Sequence, residues 1–272
     1  MGKFSDIVIL SDLDGTLFNS DCKVSKGNAE AIEYFKSEGG LFAVASGRHP
    51  DNIRLYFDVF TPNAPCICYN GGMIYDFESE KHLMSRQLPE SALDIACKMD
   101  LMFPESCVAI ETLKCMNITK TNEVSKRLLE IVECKPEYFE KYEDVRDPWV
   151  KLSVWADEQT SKLVEKEFAR LSPLPDGMRR VRTHACAIEV LSGETDKGYA
   201  LEEYKKLFDA SKKFFALGDN ENDNIMLDKA DVSIVPSNAN PETVGYATEQ
   251  LEVSCDEDFV KAAIERIEKA YI

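Results

Sequence analysis

The sequence predicts an α/β protein: a mostly parallel sheet covered by helices and carried by the two ends of the chain, plus an inserted α+β domain. Three observations predict it. Short apolar runs alternate with helical periodicity over roughly the first 80 and the last 80 residues, the rhythm of parallel strands joined by crossover helices. The middle of the chain is polar, rich in Glu and Lys, and sets strand pairs between helices. The apolar runs of the outer segments end in polar loops, as strands do at the ligand-binding edge of an open sheet.

Each element follows from its residues. Ile7 to Leu10 reads as a buried strand. Ala29, Ile32 and Phe35 mark one face of a helix ending near Gly39-Gly40. Leu41 to Ala45 is a second strand, a helix runs from Pro50 through Tyr56 to Phe60, and Pro65 to Tyr69 is a third strand. Asn70-Gly71 is a hairpin-type turn, and the strands either side of Glu78-Ser79-Glu80 pair. The middle carries helices around 90–101, 122–132 and 158–171 and strands at 107–111, 114–119, 150–156 and 186–191. After Lys197-Gly198 the first rhythm returns: a helix through Ala200, Tyr204 and Leu207, a strand Lys213 to Leu217, a helix, a strand Val232 to Val235, and a last helix through Val260, Ala263, Ile264 and Ile267. The core is expected over 1–82 and 192–272, and the inserted domain over 83–191.

Composition narrows the partners. The chain has 272 residues, is 44% hydrophobic and 30% charged, and carries 32 Lys plus Arg against 49 Asp plus Glu, for a net charge of −17. That sign argues against nucleic acid or an anionic membrane as partner. A small anionic substrate stays possible where a metal ion and a few fixed cations set the local field. Nine cysteines, with no C-x-x-C pair, read as buried structural thiols of a reduced, cytoplasmic protein. The N-terminus shows no signal-peptide pattern, and the apolar runs fall well short of the ~20 residues that span a bilayer. Oligomeric state is not legible.

Four segments carry chemistry. The first strand runs into Asp12-Leu13-Asp14-Gly15-Thr16-Leu17. Asp12 is ionised at neutral pH without help and can attack phosphorus; Asp14 can protonate the leaving oxygen and then deprotonate a water. Gly15 permits a sharp turn, and Thr16 caps it or meets phosphate. Alone, the segment also reads as an acidic turn. Ser46-Gly47-Arg48 follows the second strand and offers a hydroxyl and backbone N–H groups to a phosphate oxygen. Lys197 opens a helix, where the dipole disfavours a cation; alone it reads either as a lysine placed to meet an anion or as a solvated surface lysine. Gly218-Asp219-Asn220-Glu221-Asn222-Asp223 closes a strand with three acids and two amides, of which a helix N-cap with acids in its first turn would explain one or two. Asp12 and Asp219, with the Asp14 carbonyl, can hold Mg²⁺, and Asp223 can anchor Lys197 or a metal-bound water.

In this order the four segments resemble the haloacid-dehalogenase-like (HAD) phosphohydrolases, and among them the Cof-like sugar-phosphatase group. The resemblance implies a Rossmann-like core and an inserted C2-type cap. It implies Asp12 as nucleophile and Asp14 as general acid/base. Thr16, Ser46, Gly47, Lys197 and Asn222 would bind the phosphoryl group, Asp12, Asp14 and Asp219 would bind Mg²⁺, and Asp223, Arg48 and Asn70 would support them. The family's Asn-Gly-Ala turn appears as Asn70-Gly71-Gly72, and its Gly-Asn-Ala loop as Ser237-Asn238-Ala239. About thirty residues separate Asp14 from Ser46 and about 150 separate Ser46 from Lys197, so a cap fits only the second gap.

The expected function is a Mg²⁺-dependent phosphomonoesterase acting on small phosphorylated metabolites, sugar phosphates above all, through an aspartyl-phosphate. A phosphomutase of the phosphomannomutase type and a non-catalytic phospho-ligand sensor are the alternatives. Arg179, Arg180 and Arg182, the basic cluster of the inserted domain, are expected on a solvated edge, and Trp149 and Trp155 in packing.

Overall fold

The computed structural model describes residues 2–131, 135–193 and 195–272. Its backbone divides into two compact units, Met1–Met84 with Asp196–Ile272, and Ser85–Thr195. In chain order come β1 (Ile7–Ser11), α1 (Lys26–Ser37), β2 (Leu41–Val44), α2 (Pro50–Arg54), β3 (Cys66–Cys68), β4 (Met73–Asp76) and β5 (Lys81–Ser85). Then follow α3 (Ala92–Met102), β6 (Cys107–Thr112), β7 (Met116–Ile118), α4 (Glu123–Ile131), β8 (Glu137–Tyr138), β9 (Trp149–Trp155), α5 (Glu158–Arg170), β10 (Arg179–His184) and β11 (Ala187–Leu191). The chain closes with α6 (Lys197–Lys205), β12 (Lys213–Leu217), α7 (Asn224–Lys229), β13 (Val232–Val235), α8 (Pro241–Val244), β14 (Glu249–Gln250) and α9 (Phe259–Tyr271).

The first unit is built on a sheet of order β14-β13-β12-β1-β2, parallel throughout. Its central strand is β1, where Val8, Ile9 and Leu10 are fully buried. Alternation along β12 shows how both faces are covered. Phe215 meets Tyr271 of α9 at 5.3 Å between ring centroids, while its neighbour Phe214 meets Tyr204 of α6 at 6.3 Å. Successive strand residues point to opposite faces, so α9 with α1 covers one face and α6 with α7 the other. Beside this sheet, β3, β4 and β5 form a three-stranded sheet, in which β3 and β4 run antiparallel.

The second unit is a six-stranded sheet of order β10-β11-β9-β6-β7-β8. Its neighbours run antiparallel except β7 and β8. Val108, Ile110, Leu152, Val154, Ile188 and Val190 pack on one face against residues of α3 and α5. Cys107, Ala109, Ile118 and Trp155 pack on the other with Leu129 of α4.

Two expectations are corrected, and one turn is filled in. The helix expected from Pro50 to Phe60 ends at Arg54 and continues as tight turns such as Tyr56 N to Ile53 O, 3.1 Å. Its aromatic residues seek different partners: Tyr56 packs on Phe18, Phe57 on Phe77 and Phe60 on Phe42, which one helical face cannot serve. As expected, the Asn70-Gly71 turn connects an antiparallel hairpin, β3 to β4; it takes the form of a 3-10 turn, Tyr69–Gly71, with φ of 53°, 53° and 97°. A side chain at Gly71 would meet the Asp196 carbonyl oxygen at 2.1 Å, so glycine lets this turn lie against the start of α6. The thiols are not uniformly buried: Cys66, Cys68, Cys107 and Cys255 are, but Cys22 and Cys97 are exposed. None of the eight described cysteines is in a disulfide; Cys134, and Val132 at the end of the expected 122–132 helix, lie outside the described residues. Among the described residues no helix is long and apolar enough to cross a membrane.

Candidate active site

The site is assembled where strands end. Asp12 is the first residue past β1, and its N–H still bonds the Leu217 carbonyl of β12 at 2.8 Å, so the ladder itself aims its side chain. Past β12, Gly218 is needed because a Cβ there would lie 2.6 Å from the Asp223 carboxyl carbon. The Asp223 carboxylate folds back under this loop. Its Oδ2 accepts the N–H groups of Asp219 and Asn220 at 3.0 and 3.1 Å, and its Oδ1 accepts Lys197 Nζ at 2.6 Å. Asp223 thereby fixes the Asp219 loop and the lysine together.

Lys197 begins α6, just after the N-cap Asp196, which accepts Tyr199 N–H at 2.6 Å. Its ammonium is fully buried and also donates to Asp12 Oδ1 at 2.7 Å. Burial works against the ammonium charge, but Asp12 and Asp223 outweigh it and hold the lysine protonated well above its ordinary range. Lys197 is thus no solvated surface lysine: it meets two carboxylates.

Around Asp12 the balance is reversed, and the expectation that this carboxyl is ionised without help is corrected. Burial first, and the charge of Asp223 next, push its carboxyl well above the usual carboxylate range, with Lys197 opposing them. Asp219 is pushed up to about 6, again by burial and then by Asp223. Asp12, Asp219 and Asp223 bring carboxylate oxygens within 4.8 Å of one another. Three carboxylates against one ammonium leave an excess of negative charge on hard oxygen donors, the chemistry that suits a small divalent cation. Asp12, Asp219 and the Asp14 carbonyl were the expected ligands, and the donor set present fits such an ion.

The other expected residues close a ring around this cluster. Thr16 Oγ, expected at phosphate, donates to Asp219 Oδ1 at 2.9 Å, which sets it beside the acids. Gly15 has φ +83° and room for no side chain: a Cβ would meet Asp219 Oδ2 at 2.5 Å. The Asp14 carboxylate is clasped by Arg48, through Nη2 at 2.6 Å and Nε at 3.0 Å. Arg48 is itself buried, with its guanidinium over Phe18 and Tyr56, which locks a bidentate geometry. Ser46 Oγ accepts Arg48 N–H at 3.2 Å, and the Ser46 carbonyl accepts Asn70 N–H at 2.9 Å. At Gly47 a Cβ would lie 2.9 Å from the Asn70 amide nitrogen. Asn222 donates to Asn70 Oδ1 at 3.3 Å, and one residue on is Asp223. Every expected site residue thus belongs to one connected set within the first unit.

Asn238 was singled out only by its loop. Its amide nitrogen donates to the Gly15 carbonyl at 2.9 Å, and its amide oxygen accepts Cys255 N–H at 2.8 Å. An asparagine after Pro236-Ser237 was the one available signal, and nothing in the sequence identifies its partner 223 residues away. In the second unit, Arg180 and Arg182 of the edge strand β10 bond Glu165 at 3.0 and 2.9 Å, a solvated ion pair as expected. Trp155 is buried and Trp149 bonds the Val145 carbonyl, so both pack.

Comparison with known proteins places this geometry. A family model described as haloacid dehalogenase-like hydrolase matches residues 9–264. A protein of Buchnera aphidicola (subsp. Acyrthosiphon pisum) that carries a provisional phosphatase name is 25% identical over 263 residues, covering 96% of each chain. A crystal structure from Thermotoga maritima superposes with TM-score 0.82 at 23% identity, over 96% of this chain and 97% of that one. A protein described as a HAD subclass IIB sugar phosphatase superposes with TM-score 0.78 at 18% identity, over 96% and 98%.

Proposed function

The chain belongs to the haloacid dehalogenase-like hydrolases, in their Cof-like group, and is a phosphatase; on that premise we propose that it hydrolyses small phosphorylated metabolites, sugar phosphates foremost, in a Mg²⁺-dependent reaction through an aspartyl-phosphate on Asp12. The observation that carries this reading is the buried Lys197, held between Asp12 and Asp223 at 2.7 and 2.6 Å. An ammonium so placed orients Asp12 and offers positive charge where a phosphoryl group would gain negative charge.

In the proposed reaction an Asp12 oxygen attacks phosphorus, the bond from phosphorus to the leaving oxygen breaks, and Asp14 gives that oxygen a proton. Asp14 then takes a proton from water, whose oxygen attacks the aspartyl-phosphate, releasing phosphate and restoring Asp12. Ser46 and Lys197, with the Gly47 N–H and Asn222, are assigned to the phosphoryl oxygens. Asp12, Asp219 and the Asp14 carbonyl are assigned to Mg²⁺, with Asp223, Arg48 and Asn70 as their supports. When bound, the ion supplies neutralisation of the charge that develops on the transferring group.

Residues 83–191 are read as the cap, the part of such enzymes that selects the leaving group; the long gap between Ser46 and Lys197 supports this. The sugar-phosphate reading is supported by the sugar phosphatase that shares the fold. Eight described cysteines outside any disulfide favour a reducing compartment such as the cytoplasm.

The test is phosphate release from hexose and pentose monophosphates with and without chelator. The wild type should turn over with Mg²⁺, and Asp12→Asn should lose roughly a thousandfold or more, the scale on which nucleophile removal acts. Full turnover by Asp12→Asn would refute the assignment.

A further inference from the structure

The loop 236–240 touches both acid-bearing segments of the site. Through its side chain, Asn238 donates to the Gly15 carbonyl at 2.9 Å. Through its backbone, Asn240 N–H donates to the Asp219 carbonyl at 2.8 Å. The loop is itself tied down: Asn238 Oδ1 accepts Cys255 N–H at 2.8 Å, and Ser237 N–H bonds the Val253 carbonyl at 3.0 Å. Gly15, at φ +83° and with no room for a side chain, makes the turn of the segment that bears Asp14. The Gly15–Thr16 peptide is held at its N–H by the Leu13 carbonyl at 3.3 Å and at its carbonyl by the Asn238 amide.

We propose that Asn238 is a positioning residue for the divalent-metal site, its side-chain amide setting the distance between the Asp14-Gly15 turn and the Asp219 loop. The inference rests on the proposed metal-dependent phosphatase reading. Its physical content is directional. The NH₂ arm holds the turn and the oxygen arm holds Asn238, so the two arms can be cut separately. Asn238→Ala removes both. Asn238→Asp keeps an acceptor for Cys255 N–H but sets a carboxylate oxygen against the Gly15 carbonyl, where no donor remains. The same catalytic segment is tied at its far end by Asp256, whose Oδ1 accepts both Ser20 N–H and Ser20 Oγ at 2.8 Å. Asp256→Ala therefore loosens the segment without touching Gly15.

The experiment is Mn²⁺ binding to the full-length protein, read by the loss of the free-ion electron paramagnetic resonance signal, with the melting temperature of each variant alongside. Partners that orient metal ligands are worth about 10–100-fold in affinity, so Asn238→Ala and Asn238→Asp should each weaken Mn²⁺ at least about tenfold while still melting cooperatively. Asp256→Ala should bind within about twofold of wild type. Wild-type Mn²⁺ affinity in a folded Asn238→Ala overturns the proposal, as does equal weakening by Asp256→Ala, which would reduce the effect to general loosening. A wild type that binds no Mn²⁺ sinks the metal reading itself and this inference with it; that failure is seen before any variant is made. If Asn238→Ala does not fold, Asn238→Asp decides by the same measurement.

Discussion

At the scale of single residues, the site is a problem of crowded like charge. Three carboxylates share one ammonium, and Asp223 has both oxygens committed to Lys197 and to the backbone of the Asp219 loop. The strain of that crowding falls on Asp12 and Asp219. For Asp219 the consequence can be given a sign. Burial and then Asp223 hold it at about 6, against about 4 for an ordinary carboxylate. The folded protein therefore binds this proton more tightly than the unfolded chain does. The contribution is present in full below pH ~4 and is lost as pH rises through about 6. In chelator, wild type should lose stability relative to Asp219→Asn across that window, by up to about 3 kcal/mol at roughly 1.4 kcal/mol per pH unit. Saturating Mg²⁺ should shrink the difference, because the ion replaces the proton and binds only the folded state. Denaturant midpoints near pH 4.5 and 7 for both proteins check this; a difference that ignores pH would show that Asp219 is not held up.

At the scale of elements, the same site is a set of strand ends brought together by loops that cannot take side chains. Gly15 shows the constraint most sharply. Gly15→Ala would demand both a left-handed backbone that costs about 1–3 kcal/mol and a Cβ 2.5 Å from Asp219 Oδ2. The expected result is a folded protein, judged by its circular dichroism, with turnover down at least tenfold; wild-type turnover would mean that the turn relaxes freely. The core strands were legible because each is a short apolar run ended by a polar loop, and β1, β2, β3, β12 and β13 all fall on such runs. The acids Asp12 and Asp219 and the misplaced cation Lys197 were legible because each breaks a local rule of strand or helix chemistry. What stayed hidden depends on partners distant in sequence. β8 and β14 are two residues long, and β10 is an arginine-rich edge strand with no apolar alternation. The Arg48 clasp on Asp14 and the Asn238 hold on Gly15 have no periodic signature, since each is set by where two loops meet.

At the scale of the whole molecule, the chain contains two cores of unlike character. The first unit keeps its buried charge in the candidate active site. The second carries a buried ionic triad of its own. Lys151 of β9 bonds Glu111 of β6 at 3.1 Å and Glu189 of β11 at 3.0 Å, and Ser153 Oγ bonds Glu111 at 3.0 Å. The pairing register puts these residues on one face, beside the apolar cluster of Cys107, Ala109 and Trp155. Burial pushes the Glu111 carboxyl up even with Lys151 beside it, and the two glutamates hold the lysine protonated against its own burial. Such a triad is costly to desolvate, so a broken one and an erased one should behave oppositely. Lys151→Met alone strands two buried carboxylates and should cost about 3–5 kcal/mol, whereas Lys151→Met combined with Glu111→Leu and Glu189→Leu should be neutral or stabilising by about 1–4 kcal/mol. The readout is built in: both of the chain's tryptophans, Trp149 and Trp155, stand at the ends of β9, so fluorescence-monitored urea unfolding follows this unit. A triple variant as unstable as Lys151→Met would mean that the triad holds the sheet together by more than its own charge balance.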